Sequence, residues 1–354
     1  MISLLLLLSA VGAVSEPPPR MTLSVNPPAV CADPRPSSYP NFDLLVRNQG
    51  TKEARILEVR GFALDRGGNL IERRILWQQA LAVLGDAQTV GPGDTNIIFN
   101  PFSFRHGAKA TALRYEIDLS GEAAPLSVVI ALSDCTPRLR FELPIRGRLL
   151  VYDGHDFLSH HRRGRYLGSG ARALGLTDNF QRFGTDLVVI DAQGRMFKND
   201  GKQDADWFGW GEPVRAVASG VVAEVHDGQP DNIVVGNLDQ YKVSASPTNP
   251  LASYGNFVLI DHGRGEFSIV GHLKNGSVAV HKGQHVRAGE MVARVGNSGA
   301  SGGVHTHFER RTGPGIAKMR SLPPYFTSFR FADGMQAAAA STVLDTGDVV
   351  ISNR

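Results

Sequence analysis

The residues best equipped for chemistry lie late in the chain, in a stretch from 296 to 309 that reads G-N-S-G-A-S-G-G-V-H-T-H-F-E. Four glycines within eight residues precede two histidines one residue apart, His305 and His307. In an extended strand, side chains at i and i+2 leave the same face, so a strand over Val304 to Phe308 would aim both imidazoles at one point. That is the geometry of a metal site. An isolated H-x-H suits the wet face of a surface strand just as well, so its meaning depends on what accompanies it. Ten of the eleven histidines lie between His155 and His307. The glycine run is not a phosphate cradle of the P-loop kind, because no lysine follows it. No Ser/His/Asp triad competes with a metal reading.

The elements that must position these residues belong to a chain of 354 residues, long enough for two domains with a core each. A formal charge of +3 and the lack of a concentrated basic patch or binding motif argue against nucleic acid as a partner. Residues 1–15, M-I-S-L-L-L-L-L-S-A-V-G-A-V-S, read as a secretory signal whose apolar core is too short to span a bilayer, with cleavage expected after Ser15. No basic residue precedes the apolar run, and no cysteine follows it for a lipid anchor. Export would place the mature protein in the periplasm or outside the cell, with no stable membrane insertion. Cys31 and Cys135 are the only cysteines, and an even pair behind an export signal is most simply one disulfide. Closing a loop of that length would constrain the unfolded chain by about 4–5 kcal/mol.

Strand patterns fill the first half. Leu113, Tyr115, Ile117 and Leu119 alternate with polar partners, as do Leu139, Phe141, Leu143 and Ile145, and more briefly Phe42, Leu44 and Val46. Turn clusters punctuate them, and an antiparallel β-sandwich over 21–145 is expected, with a binding, spacing or shielding role. The second half, 146–330, is expected to hold the chemistry on short glycine-bounded strands: Val214 to Val225, Asn256 to Asp261, Phe267 to His272, Met291 to Val295 and Val304 to Glu309. Residues 331–354 read as a C-terminal tail, in which Ala337 to Ala340 form a short helix or fray. The expected fold class is mainly β throughout.

Four pieces now combine: Ser159-His-His161, Gln181-Arg-Phe-Gly-Thr-Asp-Leu187, Val270-Gly-His-Leu273 and His305-Thr-His307. With the glycine turns between them they resemble the lysostaphin-type (LytM-like) zinc metallopeptidases that cut cell-wall peptidoglycan, over roughly Arg146 to Gly313. The family pattern G-x-P-V-x-A-x-x-x-G-x-V is matched by Gly211 to Val222, V-x-I-x-H-G by Val258 to Gly263, and the glycine loop before H-x-H by Gly296 to His307. The resemblance implies a lysostaphin-type antiparallel β-sheet catalytic domain. It implies Asp186 and His307 as zinc ligands, and His272 and His305 as catalytic histidines off the metal. At the first ligand the chain departs from the common H-x-G-x-D form, since Arg182 stands four residues before Asp186. A guanidinium stays protonated and presents only donors. A subgroup carries N-H-H or N-Y-H upstream of Q-R-[FY]-A-x-D, which Ser159-His160-His161 and Gln181-Arg182-Phe183 resemble. His161 is then the implied first ligand, with His160 as the alternative.

The residue types suit this chemistry on their own terms. Catalytic zinc takes three His or carboxylate ligands and lowers the pKa of a water in the fourth position to about 7. His305 could take or hold that water's proton, His272 could donate to the oxyanion, and Glu309, at i+2 from His307, could orient a ligand. Trp207 and Trp210 suit either a groove wall or the core. The expected function is a zinc-dependent endopeptidase acting on peptide cross-links of peptidoglycan, with a regulatory contact through the N-terminal unit left open. The alternative is a metal-free peptidoglycan-binding or hydrolase-activating protein on the same fold.

Overall fold

The alternation over Ala112–Leu119 becomes a strand whose Leu113, Tyr115, Ile117 and Leu119 are buried while their neighbours are half-buried. In this computed structural model, which describes residues 20–352 apart from 34, 36–38, 84–87, 136–138, 234, 238–245 and 335–341, that strand sits inside a sheet ordered Val30–Cys31, Leu126–Ser133, Ala112–Leu119, Ala54–Leu64, Leu70–Trp77. A second sheet joins Met21–Asn26, Asp43–Asn48 and Thr95–Phe99, all antiparallel. Phe42, Leu44 and Val46 from one sheet and Val59, Leu113, Tyr115 and Ile117 from the other share one apolar cluster, which makes the first half a β-sandwich. Parallel pairing of Val30–Cys31 with Leu132–Ser133 brings the two cysteines together, and Cys31 and Cys135 form a disulfide. The expected export segment, residues 1–15, and the stretch Ala337 to Ala340 lie outside the described residues.

The second half is organised on a ten-stranded antiparallel sheet. Its order is His285–Val286, Gly220–His226, Asn256–Asp261, Phe267–Leu273, Thr306–Arg311, Thr185–Val189, Arg148–Asp153, Val349–Ser352, Phe329–Phe331, with Ser321–Leu322 paired to Thr306–Arg311. The central strands are buried on both faces. Val258, Ile260, Val270 and Phe308 face the larger core, whereas Phe257, Leu259 and Ile269 pack with Leu251, Tyr254 and Ile316 on the other side. The chain is mainly β, as its alternation foretold.

Two segments differ from the sequence reading. Leu139 to Ile145, expected as a sandwich strand, forms only a two-residue parallel pairing of Phe141–Glu142 with Phe326–Thr327, and Phe141, Leu143 and Ile145 are buried in the core of the second half. Alternation reports which side chains are buried, not which core receives them. The expected tail from 331 on is no tail: Val349–Ser352 inserts between Arg148–Asp153 and Phe329–Phe331, and Leu344 joins the core. Four residues are too few for a periodic signal, and the strand exists because its neighbours supply both sets of backbone partners.

Candidate metal centre

Strand register assembles the site. Thr306–Arg311 lies between Thr185–Val189 and Phe267–Leu273, with Asp186 paired directly to His307 and Gly271 to the other side of His307. Residues directly opposite in antiparallel strands project to the same face, so Asp186 and His307 must meet. Asp186 Oδ1 lies 2.8 Å from His307 Nδ1, and Asp186 Oδ2 lies 3.1 Å from His161 Nε2 and 3.6 Å from His305 Nε2. His161 comes from the short 3-10 turn His161–Arg163, outside the sheet. His161, Asp186 and His307 are all buried.

The second nitrogen of His307 is fixed as well. Glu309, two residues along the same strand, accepts His307 Nε2–H at 2.8 Å and the Tyr254 hydroxyl at 2.7 Å, with Arg311 Nη1 3.7 Å from its other oxygen. Burial raises the pKa of Glu309, but His307 and Arg311 outweigh it and keep the carboxyl low and charged. With Nε2 donating to Glu309, Nδ1 of a neutral His307 turns a lone pair toward a carboxylate oxygen 2.8 Å away, which is stable only with a cation or proton between them. Without a cation the ring holds that proton: burial opposes it, yet Asp186 and Glu309 push His307 up to about 10. Burial likewise works against charge on Asp186, and the imidazoles of His161, His305 and His307 grouped around it, two of them within hydrogen-bond distance, overcome it and hold the carboxyl well below the usual range. Burial keeps the pKa of His161 below the ordinary imidazole value despite Asp186, so its ring is neutral and able to act as a ligand. The donor set of two neutral imidazoles and one carboxylate thus fits a zinc ion.

His272 and His305 face the same cleft, their ring centroids 4.7 Å apart. His272 sits at φ +58°, outside the regular strand conformation that would alternate faces after Gly271. Its Nδ1–H donates to the Ser298 carbonyl at 2.8 Å, and His305 Nδ1–H donates to the Gly303 carbonyl at 2.8 Å. Carbonyl oxygens only accept, so each Nδ1 carries a hydrogen and Nε2 of each ring is the nitrogen turned away from these carbonyls. Burial first, then His305 and His307, drive His272 well below 6.5. The glycine loop that supplies both carbonyls is locked by Asn232, whose buried amide donates to the carbonyls of Asn297, Gly299 and Ser301. Its glycines serve close backbone packing, since a Cβ at Gly299 would lie 2.4 Å from the Gly255 nitrogen.

The cleft has a volume of about 370 Å³ and is walled by Tyr152, Met196, Val188 and Trp207, while Trp210 packs on the core beneath Lys274. Of the two neighbouring histidines, His161 is the one beside Asp186. His160 is largely exposed, lies tilted against His161 with centroids 3.9 Å apart, and is bound through Nδ1 to Asp153 Oδ2 at 2.6 Å. Asp153, His160, His161 and Asp186 nevertheless lie close enough to hold an ion together. Arg182, at the position of the usual first ligand, turns its guanidinium to Asp43 and Asp178. Sequence reasoning missed Asp153, Asn232 and Tyr254, which carry no motif and act through contacts distant in the chain.

Comparison with known proteins places these features in context. The model of "Peptidase family M23" matches residues 205–318, a stretch that holds His272, His305 and His307 but neither His161 nor Asp186. "Murein hydrolase activator EnvC" of Escherichia coli (strain K12) is 42% identical over 67 residues, which is 19% of this chain and 16% of that protein. "Lipoprotein NlpD" of Yersinia enterocolitica is 36% identical over 76 residues, 21% of this chain and 75% of that protein. The match spans less than a third of the length of EnvC and of two further relatives, at 16%, 30% and 24%. Among solved structures, the catalytic domain of lysostaphin from Staphylococcus simulans aligns at 18% identity over 39% of this chain and 73% of that one, with a TM-score of 0.25. On the family match and the relative covered over three quarters of its length, the chain belongs to peptidase family M23.

Proposed function

We propose that this protein is a zinc-dependent endopeptidase that hydrolyses peptide cross-links of peptidoglycan in the periplasm or outside the cell. The observation that carries the reading is the lone-pair face of His307 Nδ1 set against Asp186, with Glu309 fixing the tautomer behind it and His161 closing the third side. Zinc held by His161, Asp186 and His307 would activate water as a nucleophile near neutral pH and polarise a peptide carbonyl. The remaining work falls to the chain itself. His305 Nε2 accepts the proton that an attacking water must lose, while Nδ1–H on the Gly303 carbonyl keeps the ring aimed at the cleft. His272 is held neutral, so its Nε2 also begins as an acceptor; it can donate to a developing oxyanion when it takes the water's proton in place of His305. Either ring, once protonated, can pass the proton to the leaving amine. Tyr152 and Trp207, which line the same cleft as the histidines, offer apolar surface to the substrate.

A second reading has its own support, because relatives bear the name murein hydrolase activator. On that reading the chain binds peptidoglycan or another hydrolase and cuts nothing. The test uses the full chain, with zinc content measured by mass spectrometry and soluble muropeptides released from purified sacculi, plus a chelator control and zinc add-back. The peptidase should release product only when loaded. Asp186→Ala and His307→Ala should lose both metal and activity, and His305→Ala should keep metal while losing about two to four orders of magnitude in turnover. A zinc-loaded parent that releases nothing from any peptidoglycan type would hand the function to the activator reading.

A further inference from the structure

The first metal ligand hangs on a turn outside the sheet, and something must hold that turn. Asp43 on the sandwich strand Asp43–Asn48 is wholly buried, and all its side-chain partners among the described residues come from the second half. Its Oδ1 accepts Arg162 Nη1 at 2.7 Å, and its Oδ2 accepts Arg182 Nη2 at 2.7 Å and the Tyr166 hydroxyl at 3.0 Å. Arg162 is the residue after His161, and Arg182 precedes Asp186 by four. One carboxylate therefore grips both segments that bring ligands to the site from outside the His307 strand. The grip is reinforced locally. Arg162 Nη2 donates to the Phe42 carbonyl, Asn41 Nδ2 donates to the His155 carbonyl at 3.2 Å, and Asn179 Nδ2 donates to the His161 carbonyl at 2.7 Å.

We propose that Asp43 is a positioning residue of the metal centre: through Arg162 and Arg182, the N-terminal sandwich sets where His161 stands relative to Asp186. This rests on the metal reading above. A buried ion pair is poor evidence for stability, because desolvation of the charges offsets their attraction, but it is a stringent device for fixing geometry. It also accounts for the arginine at the usual ligand position. Arg182 is no relic of a lost ligand; it is the handle by which a neighbouring unit holds the Asp186 segment. In the second half alone, Arg162 would face no carboxylate and Arg182 only Asp178.

The experiment measures zinc affinity of the full chain by chelator competition, and records the visible spectrum of the cobalt-substituted protein as a report on ligand geometry. Asp43→Asn should weaken zinc binding by roughly 10- to 100-fold, the range for partners that orient a ligand, and shift the cobalt spectrum. Asp118→Asn, which removes a charge elsewhere on the sandwich, should match the parent. Should Asp43→Asn fail to fold by near-ultraviolet circular dichroism, Arg162→Lys carries the test, since it keeps the charge but not the double hold on Asp43 and the Phe42 carbonyl. A folded variant with parental zinc affinity and an unchanged cobalt spectrum overturns the proposal. A parent chain that takes up no zinc overturns the metal reading itself, and this inference with it.

Discussion

Gly184 stands where two rings leave no room for a side chain. A Cβ there would lie 2.9 Å from His307 Cε1, closer than carbon atoms approach in folded proteins, and 3.0 Å from His161 Cγ, at the tight end of real contacts. Its place two residues before Asp186 is thus dictated by the volume of the donor set. Gly184→Ala should push the two imidazoles apart and lower zinc affinity by about 10- to 100-fold, comparable to losing an orienting partner. Chelator competition reads this directly, and a variant with parental affinity would show that the rings accommodate the methyl group. At the same scale, His161 and His160 are neighbours in sequence with opposite environments, one buried against Asp186 and the other exposed on Asp153.

At the scale of elements, three strands and one loop divide the work. The strands set Asp186 against His307 by register, and a slip of one residue would send one of the two to the opposite face. The loop from 296 to 304 aims His272 and His305 through backbone carbonyls, so on the proposed peptidase reading its rigidity serves turnover. Asn232 supplies that rigidity from a distant segment. Asn232→Ala should leave buried carbonyls without partners and cost about 1–3 kcal/mol, measured by urea denaturation. Because the metal ligands lie elsewhere, zinc content should hold while turnover on sacculi falls. Loss of metal in step with loss of activity would show that the loop also supports the donor set.

Across the whole molecule, the sandwich is both stapled and coupled to the site. The Cys31–Cys135 disulfide closes a loop 104 residues long, and Cys135→Ser should destabilise the chain by about 2–5 kcal/mol in chemical denaturation. Thiol titration of unfolded, unreduced protein should find no free cysteine, and two titrating thiols would contradict the bond. Coupling through Asp43 has a pH signature. Burial raises its pKa, but Arg182 and Arg162 outweigh burial and hold it below 3.8. A depressed folded pKa gives stability that is complete above the unfolded value and lost as pH falls through the folded one. Parent stability should therefore drop below about pH 4 more steeply than that of Asp43→Asn, which lacks the titrating group, when urea midpoints are compared across acid pH.

The sequence alone determined what local pattern can encode. Period-two alternation marked the buried face of Ala112–Leu119, a short apolar run between turns marked Asn256–Asp261, the i, i+2 spacing aimed His305 and His307 at one point, and two cysteines left one pairing. It also singled out His161, Asp186 and His272, though only through resemblance. Tertiary structure decided the rest, for one physical reason: periodicity records that a side chain is buried but not against what. Leu139 to Ile145 alternates like a sandwich strand yet fills the other core. Nothing near His160 and His161 in sequence distinguishes them, because the difference is made by Asp186, 25 residues from His161. Asp43 reads as an ordinary polar residue at a strand start. It acquires its role only when two arginines, 119 and 139 residues away, close on it in a place that water does not reach.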